Sequence, residues 1–146
     1  MCQQVPLESV AGFDGAAQRK WMRSLRSATA YIELVFHDGD NEHPLSRTLA
    51  WLDPIRQIGV GARPGYQRPQ PSAVLHRYSY DRAILHALEE LGGIFEYVST
   101  PTGDRVRFTR LGNVDVTFLD RHGSVLGSTV THEGLILLRR GDVPRQ

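Results

Sequence analysis

The feature that most constrains this chain is a change of hydrophobic period at Gly92 and Gly93. Before these glycines, the segment SYDRAILHALEEL repeats its apolar residues at helical spacing, and Ser79 or Asp81 is suited to cap the helix. Glycine commonly ends a helix because it adopts the left-handed conformation without strain. The sequence therefore predicts a helix over residues 80–91. Its predicted buried stripe consists of Ile84, Leu85, Leu88 and Leu91.

After the glycines, apolar residues alternate with a period of two, which predicts β-strands. The connections PTGD, LGN, DRHG and HEG are short and each contains a glycine, so that successive strands should be antiparallel neighbours. We therefore expect a C-terminal antiparallel sheet of four to five strands, covered on its apolar face by the 80–91 helix. The predicted strands are 94–99, 105–110, 114–119, 124–131 and 135–139.

The N-terminal half is predicted to add a helix and a strand. Residues 1–13 show no clear periodicity and are expected to be a loosely held arm. Asp14 can cap a helix that runs to Ala28. TAYIELVF, residues 29–36, alternates apolar side chains and therefore predicts a strand.

The segment that follows this strand is rich in residues that break regular structure. Ser46 can cap a short helix through Leu52, and Asp53-Pro54 is typical of the start of a further helical turn. VGARPGYQRPQPSA, residues 60–73, contains enough proline and glycine to predict a long loop. Taken together, these elements predict a single α+β domain of two layers over residues 1–146.

The charge and cysteine content limit the classes of protein to which the chain can belong. Its net charge of +1 gives no global basic field for holding nucleic acid, and Cys2 alone cannot form an internal disulfide or a thiolate zinc cluster. The sequence has no secretory signal and no apolar run long enough to span a membrane. We therefore expect a cytoplasmic protein that requires no cofactor.

The segment HDGDNEH, residues 37–43, is the first candidate for chemistry. His37 and His43 could supply nitrogen ligands to a transition metal and Asp40 a carboxylate, although their spacing matches no established ligand motif. Asp, Asn and Gly also collect in turns for backbone reasons alone, and a turn is the interpretation that we favour. The metal site is kept as the alternative.

The second candidate is the long loop together with the residues that follow it. Arginine guanidinium groups and tyrosine rings interleave here, as they do in sites that bind phosphates, nucleic acids or acidic proteins. The predicted partner-binding residues are Arg63, Tyr66, Arg68, Arg77 and Tyr78. The N-terminal helix adds further positive charge in QRKWMRSLRS, although its apolar side is typical of a helix docked on a sheet.

These features favour a non-catalytic recognition protein that binds another protein through its sheet surface and its Arg/Tyr-rich loop. An immunity-type or accessory factor of the kind found in bacteria would fit this description. One alternative is a small metal- or phosphate-handling enzyme, such as a nuclease or a toxin-like transferase, that uses the HDGDNEH segment. The other is a nucleic-acid-binding module, whose affinity would fall steeply with added salt.

Overall fold

In the computed structural model of the protein, one antiparallel sheet of seven strands organises most of the chain. The structure describes residues 7–11, 15–41, 45–46, 49–63, 66–90, 97–99, 105–107, 114–130 and 135–139. The strands are β1 (Leu7–Ala11), β2 (Tyr31–Phe36), β3 (Ile55–Val60), β4 (Gln70–Ser79), β5 (Tyr97–Ser99), β6 (Arg105–Arg107), β7 (Val114–Leu119), β8 (Val125–Val130) and β9 (Leu135–Arg139). Their order in the large sheet is β1-β9-β8-β7-β2-β4-β3, and β5 and β6 form a separate two-stranded sheet.

Two helices, α1 (Gly15–Ser24) and α2 (Arg82–Glu90), pack on one face of the large sheet. The carboxylate of Asp81 accepts a hydrogen bond from the backbone N–H of Ile84, which is the bond expected of an N-terminal cap. The interior strand β2, which lies between β7 and β4, directs one set of alternate side chains toward the helices. The main hydrophobic core therefore contains Trp21, Met22 and Leu25 of the α1 region, Ile32, Leu34 and Phe36 of β2, and Ile84, Leu85 and Leu88 of α2.

The predicted fold class is wrong in the size and composition of its sheet. A two-layer α+β domain with a C-terminal sheet of four to five strands was expected, but the sheet has seven strands. Four of these strands, β1 to β4, precede α2 in the chain, and β2 lies between β4 and β7. The local pattern after Gly93 predicted strands well, but it contained no information about the distant strands that pair with them.

The predicted loop over residues 60–73 is also wrong in part, because β4 begins at Gln70. The register of β3 and β4 shifts between Ile58 and Val60, and Gly59 there has a positive φ of 85°. A Cβ atom at Gly59 would lie 3.7 Å from the backbone oxygen of Pro71 of β4, so the two residues are neighbours at this irregularity. A bulge is one of the places where a strand accepts proline, because the regular ladder of hydrogen bonds is already interrupted.

Two further segments differ from their predicted conformation. Leu7–Ala11, within the predicted arm, is strand β1 and pairs with β9 at one edge of the sheet. The residues after Asp53-Pro54 form strand β3 rather than a helical turn, and Asp53 itself has a left-handed conformation with a φ of 52°. A short 3-10 turn, Ala50–Leu52, precedes it. Within the described ranges, no helix is both long and apolar enough to cross a bilayer.

Candidate functional site

The face of the large sheet opposite α1 and α2 carries charged and polar side chains that are nevertheless buried. Glu33 of β2 and Asp115 of β7 lie on this face beside the small apolar group Val35, Val60, Ala73 and Leu75. We call the set of Glu33, His37, Arg63, Tyr66, Gln70, Arg77 and Asp115 the polar cluster. Buried charges are rare unless they are paired, so the partners of each one matter.

Glu33 is the acidic centre of one half of the polar cluster. Its side chain is 1% exposed, and its Oε2 accepts hydrogen bonds from Arg77 Nη2 at 2.7 Å and Arg77 Nε at 3.1 Å. Arg63 Nη2 lies 3.3 Å from Glu33 Oε1, at ion-pair distance but without hydrogen-bond alignment. Two arginines from separate parts of the chain thus neutralise one buried carboxylate.

His37 is the centre of the other half of the polar cluster. Its Nδ1 lies 2.6 Å from Gln70 Oε1 and its Nε2 lies 2.8 Å from Asp115 Oδ2. The ring stacks on Tyr66 with 4.0 Å between ring centroids. The second oxygen of Asp115 accepts a hydrogen bond from the Thr129 hydroxyl at 3.1 Å. Both ring nitrogens therefore have partners inside the protein, so the histidine is held as a structural link between β2, β7 and β4.

Several buried atoms of the polar cluster lack a hydrogen-bond partner in the part of the chain that the structure describes. They are Glu33 Oε1, Arg63 Nε and Gln70 Nε2. Ordered water usually satisfies such atoms in protein interiors. The polar cluster is therefore a buried network of ion pairs and hydrogen bonds.

Asp40 and His76 form a second polar group on the helix side of the sheet. Asp40 accepts two hydrogen bonds from Arg56, at 2.8 and 2.9 Å, and one from His76 Nε2 at 2.6 Å. The Arg56 guanidinium fork, assisted by His76, holds the pKa of Asp40 well below its usual range despite the opposing effect of burial. The imidazole of His76 packs against Phe36, with 4.8 Å between ring centroids.

The structure does not bring the described members of the predicted metal site together. His37 contacts Asp115 and Gln70, whereas Asp40 contacts Arg56 and His76. His43 lies outside the described residues. Among the residues that the structure describes, no group of three His, Cys, Asp or Glu side chains is arranged to hold a metal ion. The metal site remains a prediction.

The predicted partner-binding residues occupy different environments. Arg63 and Arg77 contact Glu33, and Tyr66 stacks on His37. Tyr78 is buried in the core under the helices, where burial raises the pKa of its phenol well above the usual range. Arg68 is exposed. The loop thus folds back on the sheet through Arg63 and Tyr66, and its binding role remains a prediction.

Glu33, Asp115 and Gln70 were not predicted to take part in any site. The usable signal was a single acidic residue inside an otherwise apolar strand, in YIELVF and again in VDVTFL. A carboxylate in the middle of a strand that is buried on both faces requires a cationic or hydrogen-bonding partner. The sequence alone did not indicate which of the sixteen arginines would supply it, since the partner is 44 residues away for Glu33 and Arg77.

The most exposed apolar side chains of the described residues lie at one edge of the sheet. Trp51 of the 3-10 turn is 67% exposed, and Ile55 and Ile58 of β3 are 71% and 68% exposed. Strand β3 is the last in the sheet order, and β4 is its only partner among the strands that the structure describes. We call Trp51, Ile55 and Ile58 together with the outer edge of β3 the β3 edge.

A cavity of about 300 Å³ adjoins the β3 edge, where β2 and β3 begin and β4 ends. Tyr31, Arg77, Tyr78, Ile84 and Ile55 contribute to its walls. The carboxylates of Asp53 and Asp81 also line it, and both residues are exposed. Because the Arg77 guanidinium is paired with Glu33, the carboxylates of Asp53 and Asp81 give the cavity an acidic character.

Comparison with other proteins adds no functional information. No family model, no curated protein and no solved structure matches this chain.

Proposed function

We propose that the protein is a recognition protein that binds an extended segment of another protein along the β3 edge. The observation that carries this proposal is the exposure of Ile55 and Ile58 on a strand at the end of the sheet. Soluble proteins usually protect such strands with charge, proline or a covering element, because a free strand edge pairs readily with other chains. An exposed apolar edge strand is therefore expected to have a partner.

The side chains of β3 suggest how a partner strand would be held. Ile55 pairs with Arg77 and Ile58 with Val74, so the two isoleucines lie on opposite faces of the sheet. A strand added beside β3 would form backbone hydrogen bonds along its length, and apolar side chains on its two faces would cover the two isoleucines. Trp51, which precedes the strand, offers the kind of aromatic side chain that dominates binding energy at interfaces.

The neighbouring cavity indicates the chemistry of one further contact. The cavity volume of about 300 Å³ is at the lower end of the range for ligand pockets, and it suits a single large side chain. Asp53 and Asp81 favour a cationic group there. We therefore describe the partner as an extended segment that carries apolar residues and an arginine or lysine.

A single lysine substitution at the β3 edge tests this proposal. Protein captured from the native host by the wild-type chain should be lost with Ile58→Lys, because a buried ammonium group would replace an apolar contact. Ser9→Lys is the matched control, since Ser9 is an exposed residue of β1, at the opposite edge of the sheet. The affinity of the purified pair should fall at least about tenfold, equivalent to about 1.4 kcal/mol, in Ile58→Lys and change little in Ser9→Lys.

Amide hydrogen exchange with the purified partner provides the second measurement. The amides of residues 55–60 should become protected on binding if a strand is added beside β3. A partner that binds Ile58→Lys normally, or that leaves these amides unprotected, would refute the proposal. Loss of binding in Arg68→Ala with normal binding in Ile58→Lys would instead assign recognition to the arginine-rich loop.

A further inference from the structure

A second surface lies between the two helices, on the opposite side of the core from the polar cluster. A groove of about 600 Å³ is lined by Arg23, Arg26, Arg82, Ala83, Leu85 and His86. Ala83 and Leu85 provide apolar area, and the charged residues of the lining that the structure describes are all arginines. The three arginines are exposed, and Arg26 and Arg82 form no ion pair within the described part of the chain.

The charge in this groove is local. The net charge of the whole chain is only +1, so the protein has no general field that would attract anions. Arg26 and Arg82 place two guanidinium groups without an ion pair among the described residues beside one groove, and an anionic ligand would supply the counter-charge that these two groups lack. The described residues of the lining include no carboxylate, so a cationic or zwitterionic ligand would find no counter-charge among them.

We infer that the groove binds the phosphate backbone of a single-stranded nucleic acid. A carboxylate needs one guanidinium fork, whereas phosphates bring several acceptor oxygens and concentrated charge to a group of arginines. Lys20 is exposed one helical turn before Arg23 and extends the row of cations beyond the groove. A row of cations longer than the groove fits a chain of phosphates better than a single phosphate group.

The lining also predicts how selective this binding is. Apart from His86, the part of the lining that the structure describes contains no aromatic ring on which bases could stack. Contacts to phosphate carry no direct information about sequence. Binding is therefore expected to be independent of sequence and sensitive to salt.

Fluorescence anisotropy with a labelled oligothymidylate of about a dozen nucleotides tests the inference. If Arg26, Arg82 and Lys20 neutralise phosphates, the affinity should fall about 20-fold between about 50 and 200 mM salt, since each contact contributes about 0.7 to the logarithmic slope for a single strand. Arg26→Glu with Arg82→Glu should weaken binding at least about tenfold and flatten the salt dependence. Arg68→Glu with Arg121→Glu makes the same change in net charge at exposed residues outside the groove and should bind as the wild type does.

Circular dichroism of both double variants checks that the fold is retained, which we expect because all four substituted side chains are exposed. Absence of oligonucleotide binding at low salt would overturn the inference, and so would an equal loss of affinity in the two double variants. Tighter binding of a polyglutamate peptide than of the oligonucleotide would assign the groove to an acidic protein instead. A free nucleotide is compared with the unlabelled oligonucleotide as a competitor at the same phosphate concentration. If the two compete equally well, the requirement for a phosphate chain is overturned.

Discussion

Glu33 of β2 and Arg77 of β4 lie directly opposite one another on neighbouring strands, and the guanidinium donates two hydrogen bonds to a single carboxylate oxygen. The two side chains differ sharply in their access to water. The carboxylate is 1% exposed, whereas the guanidinium group is on a side chain that is 41% exposed. Glu33 therefore depends on the ion pair to compensate its buried charge, whereas Arg77 can be solvated by water without it.

This asymmetry predicts unequal effects of removing each partner. Arg77→Ala leaves a buried carboxylate with only Arg63 nearby, and we expect it to lower the free energy of unfolding by about 3 kcal/mol. Glu33→Gln keeps an acceptor and leaves Arg77 able to reach water, so its cost should be about 1 kcal/mol. Urea unfolding measures both values. The double variant should be more stable than Arg77→Ala alone, and equal costs for the two single variants would contradict the argument.

The Asp40 carboxylate makes stability depend on pH at the acid end. Because Arg56 and His76 hold its pKa below the usual range in the folded state, protons bind more readily to the unfolded chain. The stabilisation is therefore present above the unfolded pKa of about 4 and is lost as the pH falls below it toward the folded pKa. We expect the urea midpoint of the wild type to decrease between about pH 5 and pH 2, and Asp40→Asn to decrease less steeply over the same range.

Asp38→Asn is the matched control for this measurement. Asp38 is exposed and two residues from Asp40, so the substitution makes the same chemical change near the same turn. Its acid dependence should follow that of the wild type. If the urea midpoint of Asp40→Asn decreases with pH as steeply as that of the wild type, other carboxylates determine the acid response.

Local sequence patterns predicted individual strands, but they did not predict which distant strands pair with one another. Residues 114–119 were predicted as a strand with the bounds that the structure shows, because their pattern and glycine-containing flanks are local. The neighbours of β2 were not predictable, since alternation assigns Glu33 to a face but says nothing about which strand brings Arg77 or Thr117 beside it. The same limit applies to the candidate site, whose members His37 and Asp115 are 78 residues apart.

The segment that forms β3 and the start of β4 shows a second limit of prediction from the sequence. Asp53-Pro54 was interpreted as a helix start and the proline- and glycine-rich residues 60–73 as a loop, since proline and glycine disfavour regular structure on average. In the folded protein, the irregularity at Gly59 lies opposite the proline-containing start of β4, so the two interruptions coincide. Composition therefore identified the interruption correctly, but only the pairing could show that strands continue on either side of it.

Gly127 of β8 lies against the Trp21 side chain of α1. A Cβ atom there would lie 2.7 Å from Cζ2 of Trp21 and 3.2 Å from the carbonyl oxygen of Leu137. Trp21 is 4% exposed and packs edge-on against Phe118, so its ring has little freedom to move away. We expect Gly127→Ala to destabilise the protein by about 1–3 kcal/mol in thermal or urea unfolding. Gly61→Ala, where the nearest atom is 3.9 Å away, is the control and should change stability by less than about 0.5 kcal/mol.

Tyr78 should limit stability at the alkaline end. Burial raises the pKa of its phenol in the folded state, so the unfolded chain loses this proton at lower pH than the folded chain does. The resulting stabilisation is complete below the unfolded pKa of about 10 and is lost as the pH rises above it. Tyr78→Phe removes the titrating group and should lose stability less steeply above pH 10, as measured by urea midpoints across that range. Tyr31→Phe loses the same hydroxyl from a side chain that is 37% exposed, and it should retain the wild-type slope. If both variants show equal slopes, burial of the Tyr78 phenol does not govern the alkaline transition.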